Sequence, residues 1–262
     1  MSGANSETVL VTGASSGIGW ELAKCFAADG STLVLTARNT EALESLAAEL
    51  RRVHQVEVTV ITADLARSEA PAKLFQDLQG RGIAVDVLVN NAGFGAWGFF
   101  AELPLPRQLE MLQVNINALI ELTGLFLPGM RQRRRGGILN VASVAGFLPG
   151  PGMTVYYATK ACVLSFTEAL AEELRGTDLT VTALCPGPTV TNFNQVASRV
   201  DKPRKVRMVK MSAEAVARHG HSAFRRKKIV AVPGLQNRLL VLLIRCLPRS
   251  VVRRLAAKFN RL

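Results

Sequence analysis

The sequence predicts an α/β fold: a parallel sheet wound on both faces by helices, in one domain over residues 1–235, with a basic helical extension over 236–262. Three observations predict it. Apolar stretches of strand length alternate with stretches of helical spacing, without a break, from residue 7 to residue 185. That alternation is the pattern of a parallel sheet whose crossovers are helices. Turn-forming or polar residues recur where the strands end, at Gly13, Asn90-Asn91-Ala92-Gly93, Ser143 and Pro186-Gly187. Finally, 262 residues at 48% apolar content are enough to bury a single large core.

The first strand, 7–12, runs straight into Gly13-Ala14-Ser15-Ser16-Gly17-Ile18-Gly19, and a helix over 20–29 follows, stopped by Gly30. Strand, glycine turn and helix start together make an anion site. Gly13 permits the tight turn, Gly17 lets the backbone approach a pyrophosphate, and Gly19 allows close helix packing, with the helix N-terminus facing the anion. The reading is a dinucleotide turn of Rossmann type, with Gly13, Ser15, Ser16, Gly17, Ile18 and Gly19 as contacts. The competing reading is a tight turn with no ligand.

The second strand, 32–37, ends in Ala37-Arg38-Asn39. An NAD site usually carries a carboxylate near here, whereas an arginine suits the 2′-phosphate of NADP. Arg38 therefore favours NADP (NADPH) over NAD, unless it is only an exposed residue at a helix start. A helix over 40–54 and a strand over 57–62 lead to Ala63-Asp64-Leu65. Asp64, with Leu65 beside it, is a candidate contact for an adenine ring, or else the N-cap of a helix over 68–78.

The fourth strand, 85–89, ends in Asn90-Asn91-Ala92-Gly93, whose amides are suited to tying strands together under a cofactor. The aromatic, glycine-rich stretch 94–100 is either a loop over a pocket or an ordinary hydrophobic loop. A helix over 107–130 carries Asn115 and Asn117 at its middle, where asparagine is unfavoured. An inward one implies a local polar task. Arg131 and Arg133 to Arg135 are expected to favour that helix C-terminus and stay solvated. The strand 137–142 ends at Ser143, a Pro/Gly bend covers 147–153, and the strand 179–184 ends in Cys185-Pro186-Gly187-Pro188-Thr189-Val190-Thr191. In such sheets ligands bind beyond the carboxyl ends of the strands. Gly13, Arg38, Asp64, Asn90, Ser143 and Pro186 all fall there.

The helix over 153–175 holds the only two tyrosines, Tyr156 and Tyr157, and Lys160. Both spacings to the lysine are helical neighbours. At about 100° per residue, the stripe Tyr156–Lys160 continues through Val163, Thr167, Leu170 and Leu174, and faces inward. The stripe of Tyr157 continues through Ala161, Glu168, Glu172 and Arg175, and faces water. An inward tyrosine beside an inward lysine suits a proton donor whose pKa the ammonium lowers. The alternative is a snorkelling lysine beside a core tyrosine.

Together, Thr12-Gly-Ala-Ser-Ser-Gly-Ile-Gly19, Asn90-Asn-Ala-Gly93, Ser143, Tyr156-x-x-x-Lys160 and Pro186-Gly187 resemble the short-chain dehydrogenase/reductase family over roughly residues 7–195. The resemblance implies that Tyr156 is the catalytic acid/base. Lys160 holds the nicotinamide ribose and lowers the tyrosine pKa. Ser143 binds the substrate carbonyl, and Asn115 supports a water-linked proton relay. It also implies cofactor contacts at Asn91, Ala92, Gly93, Pro186, Gly187, Thr189 and Thr191, and pairing of chains through the helices 107–130 and 153–175 into a dimer or tetramer. The implied activity is NAD(P)-dependent interconversion of a carbonyl and an alcohol. Further resemblance to a bacterial-type carbonyl reductase subgroup points to a fairly apolar substrate.

The net charge of +12 is local. Residues 199–262 hold 18 Lys/Arg against 2 Asp/Glu, while residues 1–198 hold 14 against 18. The stretch 196–209 is expected to be a helix or lid, 212–224 a helix capped by Ser212, and 228–232 a last edge strand. The nine nearly unbroken apolar residues 239–247 between arginines, followed by the basic amphipathic 250–262, suggest a peripheral contact with an anionic membrane, or a surface for a hydrophobic substrate or partner. The plainer reading is a helix covering its own body or a second subunit. Nucleic-acid binding is disfavoured, since no reading motif or interleaved aromatics accompany the charge. A second functional class follows from the same tail: a cofactor-binding interaction protein with vestigial catalysis. No apolar run reaches the length of a membrane span, and the first residues lack the pattern of a secretory leader. The scattered Cys25, Cys162, Cys185 and Cys246 predict reduced thiols, no metal site and a cytoplasmic setting.

Overall fold

The computed structural model describes residues 6–191 and 210–259. The strands are β1 (Thr8–Thr12), β2 (Thr32–Ala37), β3 (Val58–Thr62), β4 (Val87–Asn90), β5 (Gly137–Val141), β6 (Thr180–Leu184), β7 (Thr189–Val190), β8 (Met211–Ser212) and β9 (Val230–Ala231). Seven of them form one sheet in the order β3-β2-β1-β4-β5-β6-β9, and every pairing in it is parallel. β7 and β8 make a separate short ladder beyond the carboxyl end of β6. Strand order reverses at β1, between β2 and β4, so a crevice forms at that point of the carboxyl edge.

Alternate side chains of each strand point to opposite faces, and both faces are covered. Val9 and Val11 of β1 join Leu33 and Leu35 of β2 in the core under α1 (Gly17–Ala28) and α2 (Thr40–His54). Leu10 and Val34 point the other way, into the core beneath α3 (Ala70–Gly80). On that second face lie α4 (Leu105–Leu112), α5 (Ala118–Arg133) and α6 (Thr154–Glu173). α7 (Ala213–Arg225) packs beside α1, with the Ser212 hydroxyl accepting from Ala215 N, as a cap there should. β9 closes the sheet against β6 as the sequence suggested. Two further helices follow, α8 (Leu235–Cys246) and α9 (Arg249–Phe259). The helix or lid expected over 196–209 lies outside the described residues.

Three local expectations are corrected. The helix expected over 107–130 runs from Leu105 to Arg133 and is not uniform: α4 passes into α5 through a π-helical turn, Gln113–Asn117. By length and a mean hydropathy of 1.2 this helix could cross a membrane. Its packing against α3, α6 and the sheet, with a buried polar centre, is that of a core helix. Asp64 does not cap α3, whose N-cap is Glu69; its Oδ1 accepts from Ala66 N at 3.2 Å and closes the turn after β3. The arginines after α5 are not merely solvated. Arg133 and Arg135 each lie 3.4 Å from the carboxylate of Asp86, which is only 7% exposed, and Arg134 pairs with Asp178. A buried carboxylate beside two cations is stabilised in a way that periodicity alone could not reveal.

Candidate active site

At the carboxyl edge the glycine turn is held from below. Thr12 Oγ1 accepts from the amides of Asn91 and Ala92 at 3.0 Å and donates to Val89 O, joining β1 to β4. The Asn91 carboxamide donates to Thr12 O at 2.9 Å and Gly13 O at 3.0 Å. A β-carbon at Gly19 would collide with that carboxamide and with the Gly13 carbonyl, so the helix start sits as close to the strand as a glycine allows. Gly17 has φ +60°, a conformation that favours glycine.

Ser16 is the N-cap of α1, yet its side chain makes no capping bond, and the first turn carries no acid. An N-terminus with free amides and no competing carboxylate fits a phosphate. Ser15 and Ile18 flank it, half-buried. Arg38 stands exposed just past β2, with no carboxylate within ion-pair distance among the described residues. Leu65, 7% exposed, lies after β3 beside Asp64. These residues fit a dinucleotide.

The second half of the site lies where β4, β5 and β6 end. Asn90 donates to Asn140 Oδ1 at 3.0 Å and to Thr123, and Asn140 donates to Thr167, so a polar chain ties β4, β5, α5 and α6 through the core. Asn115, 1% exposed in the π turn, accepts from Phe94 N and donates to Phe94 O, both at 3.0 Å, and donates to Thr159 at 3.1 Å. Both Nδ2 hydrogens and one Oδ1 lone pair thus pin the strand-end loop to α6. A π turn at such a place is a common mark of a functional segment.

Lys160 is buried, and its Nζ donates to Val141 O at 2.7 Å. A β-carbon on Gly93 would lie 3.0 Å from Asn115 Oδ1 and 3.6 Å from Lys160 Nζ, which fixes how near the 90–93 segment approaches the lysine. Ser143 accepts from Ala145 N at 3.1 Å, contacts Pro186 O at 3.3 Å, and hydrogen-bonds Tyr156. The inward stripe holds in most of its members: Lys160, Val163, Thr167, Leu170 and Leu174 are buried and Tyr156 half-buried, while Ala161, Glu172 and Arg175 are exposed and Glu168 half-buried. Tyr157 is less exposed than its stripe suggested. Its ring covers Gly150, where a β-carbon would clash with it.

One electrostatic expectation is overturned. Burial pushes the Tyr156 phenol up to about 12, and the Ser143 hydrogen bond pulls against it only in part. Lys160 does not lower it, because burial pushes Lys160 itself down to about 8 and its Nζ points to a carbonyl, 5.9 Å from the tyrosine ring centre. Tyr156 is therefore a protonated donor at neutral pH. Cys185, next to Ser143, is held up to about 12 by burial and is an inert thiol.

The segment after β6 completes the site. Thr189 Oγ1 donates to Gly187 O at 2.9 Å, and the Thr191 methyl would stand 3.1 Å from a β-carbon on Gly17, so this segment reaches the glycine turn. The sequence reading missed Asn237. It is buried in α8, its Nδ2 donates to Pro233 O at 2.7 Å, and its carboxamide fills the space where Gly187 would carry a side chain. The available signal was an asparagine at the head of an apolar helical run. Phe94, Ala96 and Met111 form a buried apolar cluster, with Leu103, Val114, Val155 and Tyr156 packed on it. The stretch 94–100 thus contributes to a wall beside the tyrosine.

The model of the short chain dehydrogenase family matches residues 7–201. The very-long-chain 3-oxoacyl-CoA reductase of Homo sapiens is 32% identical over 250 residues, covering 94% of this chain and 74% of that protein. Among solved structures, a short-chain dehydrogenase from Sphingobium yanoikuyae in complex with NADPH is 34% identical at a TM-score of 0.80, covering 90% of this chain and 91% of that one. One from Burkholderia phymatum in complex with NAD is 28% identical at a TM-score of 0.81, covering 91% and 92%.

Proposed function

The chain belongs to the short-chain dehydrogenase family and is an NAD(P)-dependent oxidoreductase of CH–OH and C=O groups, and from that premise we propose that it reduces a fairly apolar ketone or aldehyde with NADPH through Ser143, Tyr156, Lys160 and Asn115. The observation that carries this reading is the Ser143–Tyr156 hydrogen bond backed by buried Lys160. A serine and a tyrosine hydroxyl side by side suit a carbonyl oxygen that gains negative charge.

Ser143 holds that oxygen while Tyr156 gives up the proton of its hydroxyl to it. Lys160, anchored at Val141 O, presents its remaining protons to ribose hydroxyls. Asn115 keeps Phe94 and Thr159 in register, and Thr159 in turn donates to Tyr156 O at 2.7 Å, so the tyrosine backbone is fixed. When bound, the nicotinamide supplies the hydride that reaches the carbonyl carbon. The turn at Gly13–Gly19 holds its pyrophosphate, and Arg38 holds the 2′-phosphate.

The apolar cluster at Phe94, Ala96 and Met111 supports a substrate with an apolar body, as does the relative named for 3-oxoacyl-CoA reduction. Leu105, Leu109 and Ile120, exposed on α4 and α5, support pairing into a homo-oligomer through that layer. Four free thiols support a reducing, cytoplasmic setting, with the acid-free tail as a peripheral contact to an anionic membrane. Turnover of a panel of ketones and 3-oxoacyl thioesters with NADPH tests the reading. NADPH binding without turnover of any member would favour the interaction protein instead.

A further inference from the structure

α8 has two unlike faces. Asn237 and Val241 are buried on the side that meets Gly187 and the turn at Val144–Phe147. At about 100° per residue, Leu235, Leu239, Leu242, Leu243 and Cys246 share the opposite arc. All five are exposed, the leucines at 70%, 51%, 60% and 61% respectively. Arg238 and Arg245 flank that arc on one side, and Arg245 lies over the Phe147 ring at 5.4 Å. α9 continues the theme: Val252 and Ala256 are buried, while Val251 and Leu255 are exposed beside Arg254 and Lys258. Over residues 235–262 there are seven Lys/Arg and no Asp/Glu.

A contiguous exposed leucine face has no role in the core of its own chain and marks a contact surface. A second copy meeting it across a two-fold axis would bring together two surfaces rich in cations, on each of which Glu168, 4.0 Å from Arg245, offsets one of them. An anionic bilayer offers what the surface lacks: an apolar layer for the leucines and phosphates for the arginines, worth about 1 kcal/mol per cation near the surface.

We infer that the outer face of α8, with α9 beside it, is the surface by which this protein docks on an anionic lipid bilayer, lying in the interface with its inner face still on the active site. This deepens the membrane contact proposed above and is independent of the carbonyl chemistry.

Flotation of the full chain tests it, with phosphatidylcholine vesicles and with vesicles that also contain phosphatidylglycerol. Binding is expected to the anionic vesicles, to weaken with salt, and to fall at least tenfold in the double variant Leu242→Glu, Leu243→Glu. That variant should keep wild-type turnover of a water-soluble ketone without lipid, so failure of the docking and failure of the reductase reading can be told apart. A polarity-sensitive fluorophore on Cys246 should shift to the blue when anionic vesicles are added. Flotation without that shift, equal flotation of the leucine variant, or no flotation overturns the inference. So does a leucine variant that converts an oligomer to monomer while wild type ignores vesicles, which would assign the face to a second copy.

Discussion

At the amino ends of the strands, the charges are matched to one another. Asp86 accepts from Thr8 N and pairs with Arg133 and Arg135; Arg225 pairs with both Glu7 and Asp29, and His221 also meets Asp29. These contacts clamp α7 to α1 and the end of α5 to β4. At the carboxyl ends, the polar groups are held in place but not neutralised. Among the described residues, Lys160 bonds only a carbonyl, Arg38 faces no carboxylate, and Ser16 caps nothing. One edge of the sheet uses its charges to hold the fold together, and the other leaves its cations without an opposite charge among the described residues. An ionised side chain left without an opposite charge is costly when buried, so a buried, acid-free lysine is better evidence of a ligand site than the glycine turn alone.

Substitutions at the two edges should therefore fail in different ways. The largest effect is expected at the carboxyl edge. Tyr156→Phe should lower kcat about 10²–10⁴-fold, the usual worth of a positioned proton donor, with the unfolding midpoint little changed, whereas Tyr157→Phe should keep most activity. Equal losses in steady-state assays would break the assignment. At the amino edge, Asp86→Asn should cost about 2–3 kcal/mol in urea unfolding, less than a fully buried pair because the two arginines stay a third exposed, with turnover per folded molecule unchanged. A loss of turnover without a loss of stability would erase the contrast.

Arg38→Asp should shift the NADPH:NADH affinity ratio about tenfold or more toward NADH, as a charge-assisted hydrogen bond is replaced by repulsion. Fluorescence titration reads the ratio, and an unchanged one removes Arg38 from the site. The smallest effect is a pH dependence. The folded pKa of Lys160, about 8, lies below its ordinary 10.5. Between those values the unfolded chain keeps a proton that the folded chain has lost, so this group's contribution to stability rises with pH across that window. Coenzyme binding that uses the ammonium should run the opposite way, weakening as pH rises past about 8. The step should vanish in Lys160→Met, and a wild-type affinity flat across that range would contradict the role of the lysine.

Much of the carboxyl edge was legible because its signals are local. Strand, turn and helix within residues 7–28 carry the glycine motif, and a single helix face carries Tyr156, Lys160 and Val163. The choice of Tyr156 over Tyr157 rested on that face, on which Lys160, Val163, Thr167 and Leu170 are buried, while both tyrosines are half-buried. Distant partners were not legible. Nothing near Asp86 in sequence announces Arg133 and Arg135, and nothing near Gly187 announces Asn237, since each pair meets only through the fold. The π turn was visible only as asparagines out of place in a helix. The direction of the Tyr156 shift was misread because it depends on the balance between burial and a neighbouring charge, which spacing cannot weigh.

The two faces of α8 also bear on how this enzyme would have to be assayed. Between Gly187 on one side and Leu242 on the other stands a single helix, about 10 Å thick. With the leucines in a bilayer, a carbonyl compound whose chain is dissolved in lipid has only that distance to cross and need not pass through bulk water. Its turnover would follow surface-dilution kinetics: the rate would track the substrate's mole fraction among the lipids, and adding inert lipid at constant substrate would slow the reaction.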